Sequence, residues 1–235
     1  MSVYKTLLKA SAENDKVKVA LIDPDKKNSK SCLSSQIKYI NSNEYSFVFV
    51  GGSLMMDSKY NDRIKVLKEN TKLPIIGFIS SSSQISKYFD AILFLSLASG
   101  RNPHYLIGEH VISAPIIYDM KLESIPVGYI LIDGGKRSSV EIISNTVPLP
   151  MDNHDIIVAH ALACQYLGHK MIYLECGSNS SKMADSNLLH VLKKHIKIPI
   201  IVGGGVKSEN DIDVLSSAGA DFVVTGTMIE NLFSV

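Results

Sequence analysis

Two short apolar runs near the end of the chain both stop at glycine. Residues 198–202 lead into Gly203, Gly204 and Gly205, and residues 222–225 lead into Gly226 and Thr227. Runs of this length that are rich in β-branched residues are typical of buried parallel strands. Glycine lets the backbone approach an anion closely, and the start of a following helix offers free N–H groups. The pair of runs therefore predicts phosphate-binding turns, although each run considered by itself is equally compatible with a plain turn.

Further apolar runs precede these two, and helical patterns lie between most of them. The runs cover residues 17–22, 47–50, 74–79, 91–95, 127–132 and 171–175. Eight strands that alternate with helices are typical of a parallel sheet closed into a barrel, in which a phosphate site commonly follows the last two strands. Residues 80–90 are too few for a full helix with two loops. We therefore expect an α/β fold, namely a modified (β/α)8 TIM barrel with the third helix missing or reduced.

Size and charge restrict the class of protein. With 235 residues, 46% of them hydrophobic, the chain fits one barrel domain over residues 1–235. A net charge of +1 provides no general attraction for nucleic acid. No apolar run approaches the ~20 residues that span a bilayer. The three cysteines form no C-x-x-C pair, which is typical of a reduced protein, so we expect a cytoplasmic location.

Polar residues follow the predicted strands at their carboxyl ends, where barrel enzymes build their sites. Asp23 and Asp25 follow the first strand, and Ser53 follows the second. Their oxygen atoms suit Mg²⁺, which is usually completed by water and substrate phosphates. The alternative is that the carboxylates cap N–H groups of the Asp-Pro-Asp turn. Lys26 comes next and could balance the charge of a diphosphate.

A carboxylate ends the sixth run. Glu175 closes an otherwise apolar strand, so we expect it to face the open end of the barrel rather than the packed interior. There it could accept hydrogen bonds from a substrate hydroxyl or remove its proton. Tyr173 points to the same side of the strand, and its alternative role is that of a core tyrosine. The long polar connection over residues 136–153 is expected to cover a site.

Several motifs together resemble one enzyme family. They are LIDPDK at 21–26, VGGS at 50–53, YLECGS at 173–178, VGGGV at 202–206 and TGT at 225–227. In this order they are similar to the motifs of geranylgeranylglyceryl phosphate synthases and the related heptaprenylglyceryl phosphate synthases. The resemblance implies a modified (β/α)8 barrel and a magnesium-dependent prenyltransferase of ether-lipid biosynthesis. Such an enzyme joins sn-glycerol 1-phosphate to a polyprenyl diphosphate, with geranylgeranyl diphosphate the expected donor, and releases diphosphate.

The resemblance also implies roles for individual residues. Asp23 and Ser53 would be the Mg²⁺ ligands, and Asp23 and Glu175 the catalytic residues. The residues that would hold glycerol phosphate are Tyr173, Leu174, Glu175, Cys176, Gly177, Ser178, Gly204, Gly205, Gly226 and Thr227. The family further implies a homo-oligomer, as a dimer or larger, and a transient membrane contact during product release. Residues 96–155 do not match residue by residue, so the prenyl pocket is left unassigned.

Two other classes of function share some of these features. The glycine turns also occur in other phosphate-binding TIM-barrel enzymes, such as phosphosugar isomerases and flavin enzymes. A non-catalytic protein that binds a phosphorylated metabolite could retain the same turns. The intact Asp23 and Glu175 favour an enzyme over this last alternative.

Overall fold

In the computed structural model, residues 2–24 and 29–233 are described, and within them eight parallel strands form a closed barrel. The strands follow one another around the barrel in sequence order, and the last pairs with the first. They are β1 (Lys18–Ile22), β2 (Tyr45–Val50), β3 (Ile75–Gly77), β4 (Ala91–Leu97), β5 (Glu123–Leu131), β6 (Met171–Glu175), β7 (Ile200–Gly203) and β8 (Phe222–Thr225). The expected (β/α)8 architecture is confirmed.

Helices pack around the barrel, most of them on its outer face. They are α1 (Val3–Glu13), α2 (Lys30–Ser42), α3 (Tyr60–Glu69), α4 (Glu109–Asp119), α5 (Ser139–Ser144), α6 (His154–Tyr166), α7 (Ser186–His195), α8 (Glu209–Ala218) and α9 (Thr227–Phe233). A π-helical turn, His104–Gly108, leads directly into α4. Over the described ranges, none of these helices combines the length and the apolar character needed to cross a bilayer.

The third helix of the regular barrel is reduced to one turn, as predicted. Between β3 and β4 the chain forms only a 3₁₀ turn, Ser82–Gln84. Serines here bond to nearby backbone rather than extend a helix: Ser81 Oγ accepts a hydrogen bond from the N–H of Ser83. Asp90 then closes the connection, because its carboxylate accepts the N–H of Ile75 at 2.8 Å. The reduction therefore has a local cause in the sequence.

Serine side chains cap two of the helices at their first turn. Ser29 Oγ accepts the N–H of Cys32 and caps α2. Ser208 and Asp211 form both bonds of a capping box at the start of α8. Such bonds satisfy the free N–H groups of a first turn, and at α8 they fix where the helix leaves the preceding glycine turn.

Aromatic side chains fill the inside of the barrel, and one end of it is closed. Phe47, Phe49 and Phe222 are buried among the inward-facing residues, because alternate strand residues point to opposite faces. Helix α1 packs Leu7 against this cluster. Its first turn is anchored by Glu123, whose carboxylate accepts the N–H groups of Val3 and Tyr4 at 2.6 and 2.9 Å. A ligand therefore enters at the other end, where the strands have their carboxyl termini.

Candidate active site

A cavity of about 410 Å³ opens at the carboxyl ends of the strands. One part of it is polar and one part is apolar. The residues selected from the sequence that line it are Asp23, Ser53, Tyr173, Glu175, Ser178, Gly204, Gly205, Gly226 and Thr227. The closed barrel therefore brings together residues that are more than 200 positions apart in the chain.

Three residues selected from the sequence do not line this cavity. Leu174 and Cys176 pack into the apolar layer between strands and helices, because they alternate with the inward-facing Tyr173 and Glu175. Their side chains point away from the cavity, and a part for these residues in holding glycerol phosphate stays a prediction. Burial raises the pKa of the Cys176 thiol, so it stays protonated. Gly177 contributes through its backbone N–H, which donates to Glu175.

Glu175 is a buried carboxylate at the bottom of the polar part. Burial raises its pKa to about 7, against the lowering effects of the Gly177 N–H and of the Tyr129 and Tyr173 hydroxyls. Gly177 N lies 2.6 Å from Glu175 Oε1. A carboxylate with a pKa near neutrality can both accept and return a proton at physiological pH. Glu175 therefore has the properties of a general base.

Tyr173 is both a core residue and part of the site. Its ring stacks on Phe78 with centroids 5.1 Å apart and lies 5.3 Å from the ring of Tyr129. The buried hydroxyl lies close to Glu175, yet it reaches hydrogen-bond geometry with no group in residues 2–24 or 29–233. A Cβ at Gly203 would collide with this hydroxyl. Glycine at the end of β7 thus makes room for the phenol beside the carboxylate.

The turn after β7 brings free N–H groups to the polar part of the cavity. Gly204 and Gly205 have φ angles of +83° and +77°, which L side chains rarely adopt. A Cβ at Gly204 would lie 2.7 Å from the Gly177 nitrogen and 2.8 Å from Glu175 Oε1. Across the described ranges, the N–H groups of Gly204, Gly205, Gly226 and Thr227 donate to no protein acceptor. Free donors at the ends of two adjacent strands are suited to binding a phosphate.

Asp23 and Ser53 follow β1 and β2, and β1 pairs with β8, the strand that leads to Gly226. The β2 turn packs so closely on β1 that a Cβ at Gly52 would lie 2.6 Å from the Asp23 carboxyl carbon. Arg63 anchors the chain just beyond Asp23, because its Nη1 donates to the Pro24 carbonyl at 3.2 Å. Arg63 also pairs with Asp57 at 2.8 Å. The position of the Asp23 carboxylate is therefore set by both neighbouring segments.

The donor set fits Mg²⁺ better than a softer metal. Asp23 and Ser53 supply oxygen atoms only, and the space left by Gly52 accommodates the carboxylate beside the Ser53 turn. In the part of the chain that the structure describes, no group of three or more His, Cys, Asp or Glu residues could hold a metal ion. Coordination here would consequently need water or substrate oxygens. The predictions for Asp25 and Lys26 lie outside the described residues.

The apolar part of the cavity was not assigned from the sequence. Its walls come from the segment after β3 and from β4, the π turn and α4, and include Phe78, Ile79, Ile92, Phe94, Leu95, Tyr105 and Ile117. Residues 136–153, expected to cover a site, contribute Ser138, Val140 and Ile143 of the segment around α5. The sequence gives only a weak signal for these residues, because apolar side chains that line a cavity cannot be distinguished by type from apolar side chains of the packed core.

Helix α4 turns polar residues towards this cavity. Its buried residues are His110, Ser113 and Ile117. His110 Nε2 lies 3.2 Å from Ser96 Oγ, and its ring packs edge-on against Phe94 with centroids 4.4 Å apart. Burial lowers the pKa of His110 and keeps the ring neutral. Sequence reasoning missed these residues because amphipathic helices usually bury their apolar side.

The fold and the cavity together define a TIM-barrel protein in which an anion-binding end and an apolar end share one opening. The sequence model of the PcrB family matches residues 11–234. The chain therefore belongs to the PcrB family.

Curated relatives and solved structures agree with this assignment. The chain is 42% identical to a geranylgeranylglyceryl phosphate synthase of Flavobacterium johnsoniae, over 98% of this chain and 94% of that protein. It is 37% identical to a geranylgeranylglyceryl phosphate synthase of Pyrococcus furiosus, over 95% and 88%. The crystal structure of (S)-3-O-geranylgeranylglyceryl phosphate synthase from Thermoplasma acidophilum, in complex with sn-glycerol-1-phosphate, superposes with a TM-score of 0.89 at 34% identity, over 98% and 92%.

Proposed function

We propose that this protein is a prenyltransferase that joins sn-glycerol 1-phosphate to a polyprenyl diphosphate through an ether bond and releases diphosphate. One observation carries the proposal: free backbone N–H groups, a buried carboxylate and an apolar wall line the same cavity. A phosphorylated alcohol and a prenyl chain can therefore meet there. The family and the named relatives support the same reaction.

The polar part of the cavity suits glycerol phosphate. The N–H groups of Gly204, Gly205, Gly226 and Thr227 would bind its phosphate. Glu175 would hydrogen-bond a glycerol hydroxyl and hold it towards the apolar part. A positioned hydroxyl converts a bimolecular reaction into one that is effectively intramolecular.

The reaction requires one proton to be removed. The hydroxyl oxygen of glycerol phosphate forms a bond to C1 of the prenyl chain, while the bond from C1 to the diphosphate oxygen breaks. The hydroxyl proton passes to Glu175, whose pKa of about 7 lets the carboxylate accept it near neutral pH. The aromatic rings of Phe78 and Tyr129 line the same cavity, with centroids 6.0 Å apart, and would exclude water from C1.

We further propose that Asp23 and Ser53 hold Mg²⁺. An ion bound there would supply neutralising charge to the diphosphate leaving group. The oxygen-only donor set and the glycine beside Asp23 support this assignment. In this arrangement, the diphosphate lies at the Asp23 side and the glycerol phosphate at the Gly204 side.

The apolar wall separates this proposal from the other phosphate-binding classes. A phosphosugar isomerase handles a small hydrophilic substrate and has no use for a wall of Ile92, Phe94 and Ile117 beside its phosphate site. A flavin enzyme would be yellow as purified. A non-catalytic binding protein would take up glycerol phosphate without releasing diphosphate.

A homo-oligomer and a transient membrane contact are also part of the proposal. The outer face of α4 carries exposed apolar side chains, including Val111, Ile112 and Tyr118, which suit contact with a second copy. Leu54 and Met56 are exposed at the cavity opening, where a lipid product would leave.

The deciding experiment is an incubation of the protein with labelled sn-glycerol 1-phosphate, Mg²⁺ and prenyl diphosphates of increasing length. The expected result is a glycerol ether lipid, identified by mass, together with free diphosphate. Binding of glycerol phosphate without any lipid product, at every chain length, would reject the proposal. The same series determines the length of the prenyl chain.

A further inference from the structure

We infer that Gln84 is a positioning residue for the magnesium site, and that the reduced third helix serves to place it. This inference rests on the proposed function, since it concerns the site formed by Asp23 and Ser53. Gln84 itself does not line the cavity. It acts through the turn of residues 51–53 that follows β2.

The side chain of Gln84 is buried and bonded at both ends of its amide. Its Nε2 donates to the Gly52 carbonyl at 2.8 Å. Its Oε1 accepts the backbone N–H of Ser80 at 2.8 Å and lies 3.0 Å from Ser80 Oγ. The amide thus joins the turn after β2 to the segment after β3.

Ser80 reinforces the same connection. Its hydroxyl lies 3.3 Å from the Gly52 carbonyl and 3.2 Å from the Ser53 carbonyl. The one hydroxyl proton therefore has three acceptors within reach, namely these two carbonyls and Gln84 Oε1 at 3.0 Å. Gln84 and Ser80 together bond the carbonyl groups on both sides of the turn's last peptide, those of Gly52 and Ser53.

The turn of residues 51–53 has little freedom between its neighbours. A Cβ at Gly51 would lie 2.6 Å from the Phe78 carbonyl carbon, on the β3 side. A Cβ at Gly52 would lie 2.6 Å from the Asp23 carboxyl carbon, on the β1 side. A displacement of the turn therefore changes the distance between Ser53 and Asp23. Partners that orient metal ligands typically affect metal affinity or activity 10- to 100-fold.

The reduced helix is what allows Gln84 to reach the turn. In the 3₁₀ turn Ser82–Gln84 the chain folds back on the strand ends, whereas a full helix would carry the following residues away along the outside of the barrel. Glu109 of α4 holds the turn from the other side, since its Oε2 accepts the N–H of Ser82 at 2.9 Å. The 3₁₀ turn is thereby fixed between the turn of residues 51–53 on one side and α4, which lines the apolar part of the cavity, on the other.

The alternative is that Gln84 only satisfies buried backbone groups. In that case its loss would lower stability and leave metal binding unchanged. Metal affinity, measured apart from activity, therefore separates a positioning role from a structural one.

The test uses Gln84→Glu, which keeps the shape and the Oε1 acceptor but replaces the Nε2 donor by an oxygen that faces the Gly52 carbonyl. Mn²⁺ binding to the full chain is measured by electron paramagnetic resonance, with inorganic diphosphate present. We expect the dissociation constant for Mn²⁺ to rise roughly 10- to 100-fold. The KM for glycerol 1-phosphate should change little, because Gln84 bonds the turn after β2 and the segment after β3, and not the glycine turns after β7 and β8.

Gln36→Glu is the matched control, because Gln36 is equally buried but lies on α2, away from the cavity. Ser80→Ala is a second variant that keeps the inference testable if Gln84→Glu does not fold. It should weaken Mn²⁺ in the same direction. Normal Mn²⁺ affinity in the folded Gln84 or Ser80 variant, or no Mn²⁺ binding by the unmodified protein, would overturn the inference.

The inference and the proposed function fail in different ways. If the unmodified protein makes ether lipid and the Gln84 variant binds Mn²⁺ normally, only the role of Gln84 is wrong. If the variant loses Mn²⁺ affinity while the unmodified protein makes no lipid, the positioning role stands and the reaction is wrong.

Discussion

Glu175 Oε1 accepts the backbone N–H of Gly177 at 2.6 Å, two residues further along the chain. The same oxygen would lie 2.8 Å from a Cβ at Gly204. The carboxylate is therefore enclosed by the ends of β6 and β7, next to the free N–H groups. This enclosure removes it from water, which is why its pKa rises to about 7.

The first prediction concerns the reaction. Glu175→Gln keeps the acceptor for Gly177 but cannot take a proton, so turnover should fall roughly 100- to 10 000-fold with the fold intact. In the unmodified enzyme, activity should rise with pH up to about 7, as the carboxylate deprotonates. Turnover assays from pH 5 to 9 with circular dichroism as the fold control test both points.

The phosphate group of glycerol phosphate also titrates, at about pH 6, and contributes to the same pH profile. The profile of Glu175→Gln, which lacks the carboxylate, measures this contribution separately. Only the substrate's titration should remain in the pH profile of Glu175→Gln. Unchanged turnover in that variant would remove Glu175 from the mechanism.

The second prediction concerns stability without substrate. The pKa of Glu175 is raised from 4.5 to about 7, so between these values the folded state binds the proton and the unfolded state does not. The free energy of unfolding should therefore fall as pH rises through this window, by roughly 3 kcal/mol in total. Denaturant unfolding at pH 4.5 and pH 8 measures the change.

Glu175→Gln is neutral at every pH and should lack this loss. It should accordingly be more stable than the unmodified protein at pH 8, while near pH 4.5 the two should agree. A pH dependence that is the same in both proteins would show that the Glu175 carboxylate does not cause it.

Strand ends were the part of the site that the sequence could predict. β6 runs from Met171 to Glu175, as expected, because an apolar run bounded by Gly168 and Gly177 has clear limits. In a closed parallel barrel all carboxyl ends share one edge, so residues after different strands become neighbours without any knowledge of their contacts. This is why Asp23 and Glu175 could be assigned to one cavity.

Contacts between distant segments could not be predicted in this way. β5 begins at Glu123, four residues before the expected start, and includes Pro126. Proline lacks a donor and argues against a central strand, but here its carbonyl accepts the N–H of Lys170 at 2.8 Å. The bond from Gln84 to Gly52 spans 32 positions and leaves no local pattern. Such features depend on tertiary packing rather than on periodicity.

The third prediction tests the phosphate site. Gly204→Ala introduces a Cβ 2.7 Å from the Gly177 nitrogen and 2.8 Å from Glu175 Oε1. The turn must shift, so the KM for glycerol 1-phosphate should rise at least tenfold. Gly168→Ala is the matched control, since Gly168 has a φ of +90° and no atom within 4 Å of its added Cβ.

Both alanine variants carry the cost of a left-handed backbone, about 1–2 kcal/mol. The melting temperature should therefore fall in both, and further in Gly204→Ala, because only its added Cβ also collides with neighbouring atoms. In steady-state kinetics, only Gly204→Ala should show a raised KM for glycerol 1-phosphate. An equal KM in the two variants would place the phosphate elsewhere.

The fourth prediction concerns the metal. Asp23→Asn removes the negative charge from the proposed Mg²⁺ site but keeps an oxygen at the same position. The Mg²⁺ concentration for half-maximal activity should rise by about tenfold or more. Asp152→Asn, at an exposed position before α6, should leave the titration unchanged. An unaltered Mg²⁺ titration in Asp23→Asn would refute its role as a ligand.

The fifth prediction concerns α4, which buries polar side chains and exposes apolar ones, the reverse of a typical surface helix. It turns His110 and Ser113 inward, while Val111, Ile112 and Tyr118 are 66%, 52% and 87% exposed. Residues 110–118 contain no Asp, Glu, Lys or Arg. Monomeric proteins rarely expose contiguous apolar patches larger than a few hundred Å². We therefore expect a second copy of the chain to cover this face.

Val111→Glu combined with Tyr118→Glu should shift the protein towards monomer in light scattering coupled to size exclusion, because a buried interface does not tolerate unpaired charge. Val214→Glu on α8, across the barrel from α4, is the control and should keep the original mass. Since the inner side of α4 lines the apolar part of the cavity, the monomeric variant should also lose selectivity among prenyl diphosphates of different length. A double variant that retains the full oligomer mass would show that the outer face of α4 is not the interface.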